Sequence, residues 1–398
     1  MTDIATIALV LVGLGASFFA AWTIGAGSSG STPFAPAVGA RAISTLQAAF
    51  IVGILAFAGA VLQGAAITET MGAGLIEGVR LSPLAATIAL IIASIYIAVG
   101  VFTGYPIATA FAVTGSIIGV GLAMGGDAAW GTYTRLAAYW LVTPIFVAPP
   151  VYVITKVLRS PARRTDYTLG VLAFIVGVVI ANMDFLVLGS DGSGNSIAGR
   201  VGDPIPGPEL LGVGILTILI ATGIAYVVFR AATRDAVRAQ RRFLLTLGAL
   251  MAFTAGGGKV GLAVGPLLPL FDDVLGGVSI TLVLIFGGIG MILGTWMAAP
   301  RMIKALTQDY SMLGPRRAIA IFIPSFVIAQ VGIFYGLPMA FNQIFIAAIA
   351  GTGYAVGAKT VSERKMLITA VAWIGSIIFG LLIGYALYTG VGVAFGWT

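Results

Sequence analysis

One lysine stands inside an apolar stretch, directly after three glycines and shortly before a proline. In sequence order these residues are Gly256, Gly257, Gly258, Lys259 and Pro266. At about 1.5 Å of rise per helical residue, the lysine lies near the middle of a bilayer or somewhat beyond it. Lysines at such depth usually face a cavity on a substrate or ion path, and glycine N–H groups at a broken helix end can receive an anion. The stretch predicts an anion site; the structural alternative is a lysine that snorkels to the interface or pairs with an acid.

A second group of candidate ligands follows the first apolar run of the chain. Its members are Gly27, Ser28, Ser29, Gly30, Ser31 and Thr32. Hydroxyl and backbone N–H groups of this kind are donors that suit an oxyanion. Small residues also allow helices to pack closely in membrane proteins, so a packing role is the alternative.

Composition sets the class of protein that must position these groups. The 398 residues are 59% hydrophobic and only 9% charged, with a mean hydropathy of +1.07. Soluble proteins are about one quarter charged, so this is a polytopic membrane protein embedded in a lipid bilayer. Without histidine or cysteine, and without an intramembrane carboxylate pair, the chain offers no enzyme site, metal site or cofactor site. The net charge of +7 comes from short loops between apolar segments, which indicates topology and not nucleic-acid binding.

Apolar runs predict an all-α fold of about twelve transmembrane helices. The predicted spans are 4–24, 44–66, 84–103, 106–124, 136–155, 167–188, 210–229, 243–264, 278–297, 318–333, 338–357 and 367–388. The first is interpreted as a helix and not a signal peptide, because Asp3 stands where a basic region should be.

The basic residues test this arrangement, because cytoplasmic loops are rich in lysine and arginine. Starting outside, alternate loops collect 17 of the 21 basic residues on one side. These are Arg41, Lys156, Arg159, Arg163, Arg164, Arg230, Arg234, Arg238, Arg241, Arg242, Arg301, Lys304, Arg316, Arg317, Lys359, Arg364 and Lys365. The pattern predicts a plasma-membrane protein with both termini outside the cytoplasm.

Shifting the chain against itself by about 230 residues aligns the two candidate regions. The aligned anchors are 26–29 with 256–259, Pro36 with Pro266, 104–106 with 336–338, 119–121 with 351–353, and Trp140 with Trp373. We therefore predict a first transmembrane repeat at 1–166, two connecting helices at 167–242, and a second, inverted repeat at 243–398. The connecting part holds an external polar loop at 189–209 and a basic cytoplasmic loop at 230–242, for which an amphipathic interfacial helix is the alternative. Inverted repeats with broken or re-entrant helices at a shared site are typical of secondary transporters.

The repeats resemble the inorganic phosphate transporter (PiT) family over nearly the whole chain. The segments that carry the resemblance are 44–50, 59–64, 67–70 and 264–267. Where the family has Gly-Ala-Asn-Asp-Val-Ala-Asn, residues 26–32 and 256–262 lack every aspartate and asparagine. The family's Pro-Val-Ser-Thr-Thr-His element is replaced by 106–111 and 338–343, which leave Thr109, Asn342 and Gln343 as candidate ligands. The resemblance also implies a homodimer.

These departures change the chemistry that the resemblance implies. The family's sodium ligands are absent, and Lys259 would place a fixed cation where sodium is expected, so transport should not depend on sodium. Sulfate only accepts hydrogen bonds, whereas monohydrogen phosphate also has a proton to donate. A site made of donors therefore favours sulfate, as in the family's sulfate-permease relatives that also lack the aspartates, although the family itself implies phosphate.

Three further functions stay open at this point. The chain could be a sodium- or proton-coupled phosphate symporter, an anion channel or uniporter, or an anion sensor that does not transport. Asp184 and Glu69 are the candidate carboxylates for proton coupling. For Asp184 an interfacial cap is the alternative, and Glu69 could instead partner a cation.

Overall fold

The computed structural model describes residues 4–105, 107–160, 164–189, 194–205, 209–273, 275–309, 314–357 and 363–395. Its helices are α1 (Ile4–Ile24), α2 (Ala35–Gly39), α3 (Thr45–Gln63), α4 (Ala65–Ala73), α5 (Pro83–Thr103), α6 (Thr109–Ala123), α7 (Trp130–Arg159), α8 (Thr165–Ala181), α9 (Ile197–Gly202), α10 (Glu209–Arg234), α11 (Ala236–Val264), α12 (Leu268–Asp273), α13 (Ile280–Asp309), α14 (Pro315–Phe334), α15 (Phe341–Val356) and α16 (Glu363–Phe395). Two short antiparallel ladders pair β1 (Ile76–Glu77) with β2 (Asp127–Ala128) and β3 (Asp184–Phe185) with β4 (Asn195–Ser196). The all-α prediction is confirmed.

Several helices begin where the local sequence satisfies their first free N–H groups. The Ser44 hydroxyl accepts from the Gln47 N–H at 3.3 Å, and the Gln47 side chain accepts from the Ser44 N–H at 3.4 Å. This reciprocal capping box starts α3. Ser82 caps α5, whose first residue is Pro83, and Asp235 caps α11. These helix starts are therefore specified by short-range sequence.

Each of the twelve predicted spans overlaps a helix. Among the described residues, nine helices are long and apolar enough to cross a membrane. The remaining three, α6, α8 and α15, have 15, 17 and 16 residues. At about 1.5 Å per residue they are shorter than a hydrocarbon core of about 30 Å. A multi-pass membrane protein is confirmed, whereas the number of twelve crossings and the inverted arrangement stay predictions.

The helices differ strongly in how many of their residues are buried in protein. Within an apolar stretch of 18 residues, the buried share is 72% in the span Ala236–Phe271, which contains α11, and only 11% in Leu210–Arg234 of α10. Leu210, Leu219 and Val227 on α10 are exposed. Such exposed apolar surface is expected where a helix faces lipid tails. Helix α11 therefore lies in the centre of the bundle, and α10 lies at its edge.

Helices from the two ends of the chain share one core. Helix α3 packs along α11 and α13, and α7 packs against α14 and α15. Helix α1 contacts both α5 and α13. Consequently the segments 1–166 and 243–398 interlock, and groups more than two hundred residues apart in sequence can meet.

Two predicted connections are more ordered than expected. The polar segment 189–209 contains β4 and α9, and α9 packs against α10; its residues 190–193 and 206–208 lie outside the described part of the chain. The basic stretch 230–242 is not a loop, because α10 continues to Arg234 and α11 begins at Ala236. Asp235 alone joins the two helices, and its carboxylate accepts from the Arg238 N–H at 2.9 Å.

Candidate functional site

Lys259 is fully buried in α11. Its Nζ donates to Oγ1 of Thr109 at 2.5 Å and lies 5.8 Å from the centroid of the Phe341 ring. Thr109 is the first residue of α6, and Phe341 is the first residue of α15. The ammonium group therefore lies where two helices begin inside the protein, one from the first half of the chain and one from the second half.

The positive charge of Lys259 has no carboxylate partner in the part of the chain that the structure describes. No described Asp or Glu oxygen lies within 4.0 Å of its Nζ. The side chain is buried and does not reach an interface. Because an uncompensated buried charge costs several kcal/mol, neither the snorkelling nor the acid-paired alternative accounts for this lysine. An anion is the partner that would.

Matching turns bring α6 and α15 to Lys259. Gly104 and Gly336 have φ of 77° and 63°, a left-handed conformation that glycine adopts without steric cost. Each turns the chain out of the preceding helix, and the next helix then starts from Ala108 or Ala340. Neither alanine can cap the helix with a side chain. The first-turn N–H groups of both helices, at the positive ends of their dipoles, could therefore serve an anion beside Lys259.

Asn342 holds the two helix starts together. Its Nδ2 donates to the Ile107 carbonyl at 2.7 Å, and its Oδ1 accepts from the Thr32 hydroxyl at 2.6 Å. Nδ2 also approaches the Gly27 carbonyl at 3.5 Å. The amide thus joins α15 to the segment before α6 and to the serine-rich turn. These contacts give Asn342 and Thr32 a positioning role between three parts of the site.

Gln343 makes a comparable contact on the next position of α15. Its Nε2 donates to the Trp140 carbonyl at 2.9 Å, and the Trp140 indole N–H donates to the Pro338 carbonyl at 2.9 Å. The Trp140 ring packs against Phe111, with centroids 4.2 Å apart. Helix α7 is therefore linked to the segment that precedes α15.

The serine-rich segment continues α1 and ends it in a turn at residues 30–34. Residues Gly25–Ser29 make one π-helical turn, which packs against α11, α13 and α15. The hydroxyls of Ser29 and Ser31 donate to the carbonyls of Ile24 and Ser28, at 3.2 and 3.4 Å. The buried Ser28 hydroxyl is without a hydrogen-bond partner among the described residues, so it is free to bind a ligand.

Gly30, the remaining member of this predicted group, is buried beside α13. A side chain there would overlap the hydroxyl of Thr295. Gly30 therefore fits the alternative stated above, in which small residues let membrane helices pack closely. The helix break predicted for the first half of the chain is present at residues 30–34, directly after the π-helical turn.

The helix break predicted at Gly256–Gly258 is absent, and that prediction is wrong. Helix α11 runs through the three glycines to Val264, and the break follows as a 3-10 turn at Gly265–Leu267. Gly256 packs against α3 so closely that a Cβ would overlap the carbonyl oxygen of Ala56. Gly257 approaches the Cβ of Gln63, which also lies on α3. The glycine N–H groups lie inside the helix, so Lys259 is presented by a continuous helix and not by a helix terminus.

The two coupling candidates are distant from Lys259 in sequence, and neither carboxylate lies within 4.0 Å of its Nζ. Glu69 is exposed on α4. Asp184 is half-buried in β3, three residues after the end of α8. It borders a small pocket that Gln63 and Phe334 also line. Neither carboxylate pairs with the ammonium group of Lys259, and their role in coupling stays a prediction.

A buried chain of amides near Asp184 was not predicted from the sequence. Gln330 Nε2 on α14 donates to the Thr254 hydroxyl of α11 at 2.8 Å and to Gln63 Oε1 at 3.4 Å. Gln63 Nε2 donates to the Asp184 carbonyl at 2.8 Å. The sequence feature that could have indicated this contact is a glutamine within an apolar span, because such amides form hydrogen bonds between membrane helices. The contact joins α3 in the first half of the chain to α14 in the second half.

Known proteins are similar to this one over nearly the whole chain. Residues 24–384 match the phosphate transporter family. A Pyrococcus furiosus protein whose given name contains the words "phosphate permease" is 26% identical over 393 residues, which cover 92% of each chain. The Arabidopsis thaliana protein "Inorganic phosphate transporter 2-1, chloroplastic" is 26% identical over 420 residues, which cover 91% of this chain and 69% of that protein.

A solved structure, named "The sodium-dependent phosphate transporter", shares the fold. It superposes with a TM-score of 0.80 at 23% identity, covering 97% of this chain and 99% of that one. The family match spans nearly all of the helices described above, including those that carry Lys259, Thr109 and Asn342. This chain, a multi-pass membrane protein and not an enzyme, belongs to the phosphate transporter family.

Proposed function

We propose that this protein is a secondary transporter of an inorganic oxyanion of the phosphate and sulfate class, in which Lys259 supplies the fixed charge. The observation that carries the proposal is the buried ammonium group without a described carboxylate partner. It lies beside the uncapped starts of α6 and α15. An anion between these groups would compensate the buried charge and accept from the first-turn N–H groups.

The chemistry of the described ligands is that of a donor set. The Thr109 oxygen accepts from Lys259, so its own hydrogen is free to donate. The Ser28 hydroxyl adds a second buried donor. Among the described residues, no carboxylate lies within 4.0 Å of the Lys259 Nζ, where it could accept the proton of monohydrogen phosphate. Family membership supports phosphate as the substrate, and the donor set supports sulfate as a substrate that binds at least as well.

Sodium has no place in the proposed mechanism. Lys259 occupies the position at which the second motif of the resembled family has an aspartate. An ammonium group at that position repels a cation and removes one of its oxygen ligands. We therefore expect the anion to bind without sodium. Protons remain the candidate coupling ion, with Asp184 and Glu69 as the carboxylates to examine.

Alternating access requires the contacts between the two ends of the chain to break and form again. The Gln63–Gln330 pair is one such contact, because it joins α3 to α14. We infer that this pair opens during the transport cycle. The dimer, the plasma membrane and the external termini belong to the same proposal, which rests for them on the family and on the charge pattern.

The test is uptake of labelled phosphate and labelled sulfate into proteoliposomes by the wild type, Lys259→Gln and Lys156→Gln. Lys156 is an exposed lysine at the end of α7, so its replacement makes the same chemical change outside the site. We expect Lys259→Gln to abolish saturable uptake of both anions and Lys156→Gln to retain it. Uptake by Lys259→Gln with an unchanged KM would refute the proposed role of this lysine.

A further inference from the structure

A second basic feature lies at the ends of α7 and α14, away from Lys259. It is an open cavity of about 480 Å³. Its lining residues are Arg159, Gln240, Gly314, Pro315, Arg316 and Arg317. This volume is within the usual range of about 300–1,000 Å³ for small-molecule sites. The cavity is large enough for a phosphate group with part of an attached molecule.

Three guanidinium groups line this cavity, and no carboxylate is among its described lining residues. Three like charges around one opening repel one another, and an anion between them would remove that repulsion. The charge distribution therefore favours an anionic ligand.

The geometry of the lining is also suited to an anion with several oxygens. Arginine presents its N–H groups as a planar fork that binds phosphate oxygens in pairs. Gln240 adds a neutral amide from the first turns of α11. Helix α14, with 20 residues and Pro315 in its first turn, directs its N-terminus toward the same opening. Side chains and helix dipole thus favour the same ligand.

Arg317 connects this cavity to the helix that reaches the central site. Its Nε donates to the Thr352 hydroxyl at 2.8 Å. Thr352 lies on α15, whose first turn carries Asn342, about 15 Å away at 1.5 Å of rise per residue. The two regions are therefore separate, and α15 contributes to both of them.

We propose that the cavity formed by Arg159, Arg316 and Arg317 is a second anion-binding site, which takes a doubly charged phosphate group. The group is either free inorganic phosphate or the headgroup of a phosphate-monoester lipid, since both present the same oxygens and charge. The arginines belong to the side that carries most of the basic residues of the chain, which is predicted to be cytoplasmic. This inference does not depend on the proposed role of Lys259.

The test compares Arg159→Gln/Arg316→Gln with the control Arg230→Gln/Arg234→Gln in the full-length protein. All four arginines are exposed, and both double variants remove two positive charges from the same predicted side. Isothermal titration calorimetry in detergent measures the stoichiometry and Kd for inorganic phosphate. Native mass spectrometry measures retention of phosphatidic acid, with phosphatidylcholine as the reference lipid. The first measurement detects the free ion, and the second detects the lipid headgroup.

We expect Arg159→Gln/Arg316→Gln to remove one binding event for phosphate or for phosphatidic acid, or to weaken it at least about tenfold. The control should change that Kd less than about twofold, because exposed charges act weakly over a distance. Lys259→Gln should leave this event intact, which separates this inference from the proposed function. Loss of the same size in both double variants, no loss in either, or no binding of either probe by the wild type would overturn the proposal.

Discussion

Replacing Lys259 by methionine is expected to stabilise the anion-free protein and to abolish its stabilisation by anions. The buried ammonium group carries an uncompensated desolvation cost of several kcal/mol, which methionine does not have. Loss of the hydrogen bond to Thr109 offsets only about 1 kcal/mol of that gain. If the lysine instead had a structural anionic partner, its replacement would destabilise the fold.

The effect on anion affinity follows from the same burial. At an effective dielectric constant of about 20, two unit charges about 4 Å apart attract by about 4 kcal/mol. Since Lys259 is already buried in the folded protein, its own desolvation cost falls on folding and not on binding. At about 1.4 kcal/mol per tenfold change, the variant should lose affinity by up to about a thousandfold.

Thermal unfolding in detergent, monitored with increasing phosphate or sulfate, measures both effects. Anion at about 100 times its Kd should stabilise the wild type by about 2.7 kcal/mol, and the stabilisation should disappear in Lys259→Met. Lys156→Met, which changes an exposed lysine, should behave like the wild type. A variant that melts earlier without anion, or that is still stabilised at the same anion concentrations, would refute the reasoning.

Three further experiments test the close packing around the site and the hydrogen bonds that hold its parts together. Gly256→Ala should destabilise the fold by at least about 1–3 kcal/mol because its methyl group would overlap a carbonyl of α3; Gly375→Ala, which meets open space, should be neutral in the same thermal assay. Gln63→Leu and Gln330→Leu should show a coupling energy of about 0.5–2 kcal/mol in a double-mutant cycle, and strict additivity would contradict their contact. Asn342→Ala should lower the free energy of unfolding by about 1–3 kcal/mol and raise the KM for the anion, because its buried partners lose their hydrogen bonds. An unchanged KM would show that the hydrogen bonds of Asn342 do not position the site.

Much of the fold follows from the sequence because lipid requires long apolar helices. Each predicted span overlaps a helix, and Gly104 and Gly336, which the repeat aligns, both adopt the left-handed conformation of a turn. Lys259 stands out for the same reason, since a charge in an apolar span is rare and costly. Thr109 follows from its place in a matching element, although its contact with Lys259 could not be inferred from sequence separation.

The remaining features depend on partners that are distant in sequence. Three glycines in a row predict a helix break at Gly256–Gly258, because glycine is a poor helix former. Close packing of α11 on α3 maintains the helix there, and no local pattern shows that neighbour. Likewise, Asn342 is predicted as a ligand, yet its amide is bound by Thr32 and Ile107. Both outcomes depend on which helices are neighbours in the bundle, and the local sequence does not specify those neighbours.

The most direct test of the central claim is the initial rate of labelled phosphate and sulfate uptake into proteoliposomes, with external sodium replaced stepwise by choline. If Lys259 supplies the charge that holds the anion, the wild-type rate and KM should not change as sodium is withdrawn. Uptake that requires sodium and persists in Lys259→Gln would contradict the account, because the charge at the site would then come from a bound cation and not from the lysine.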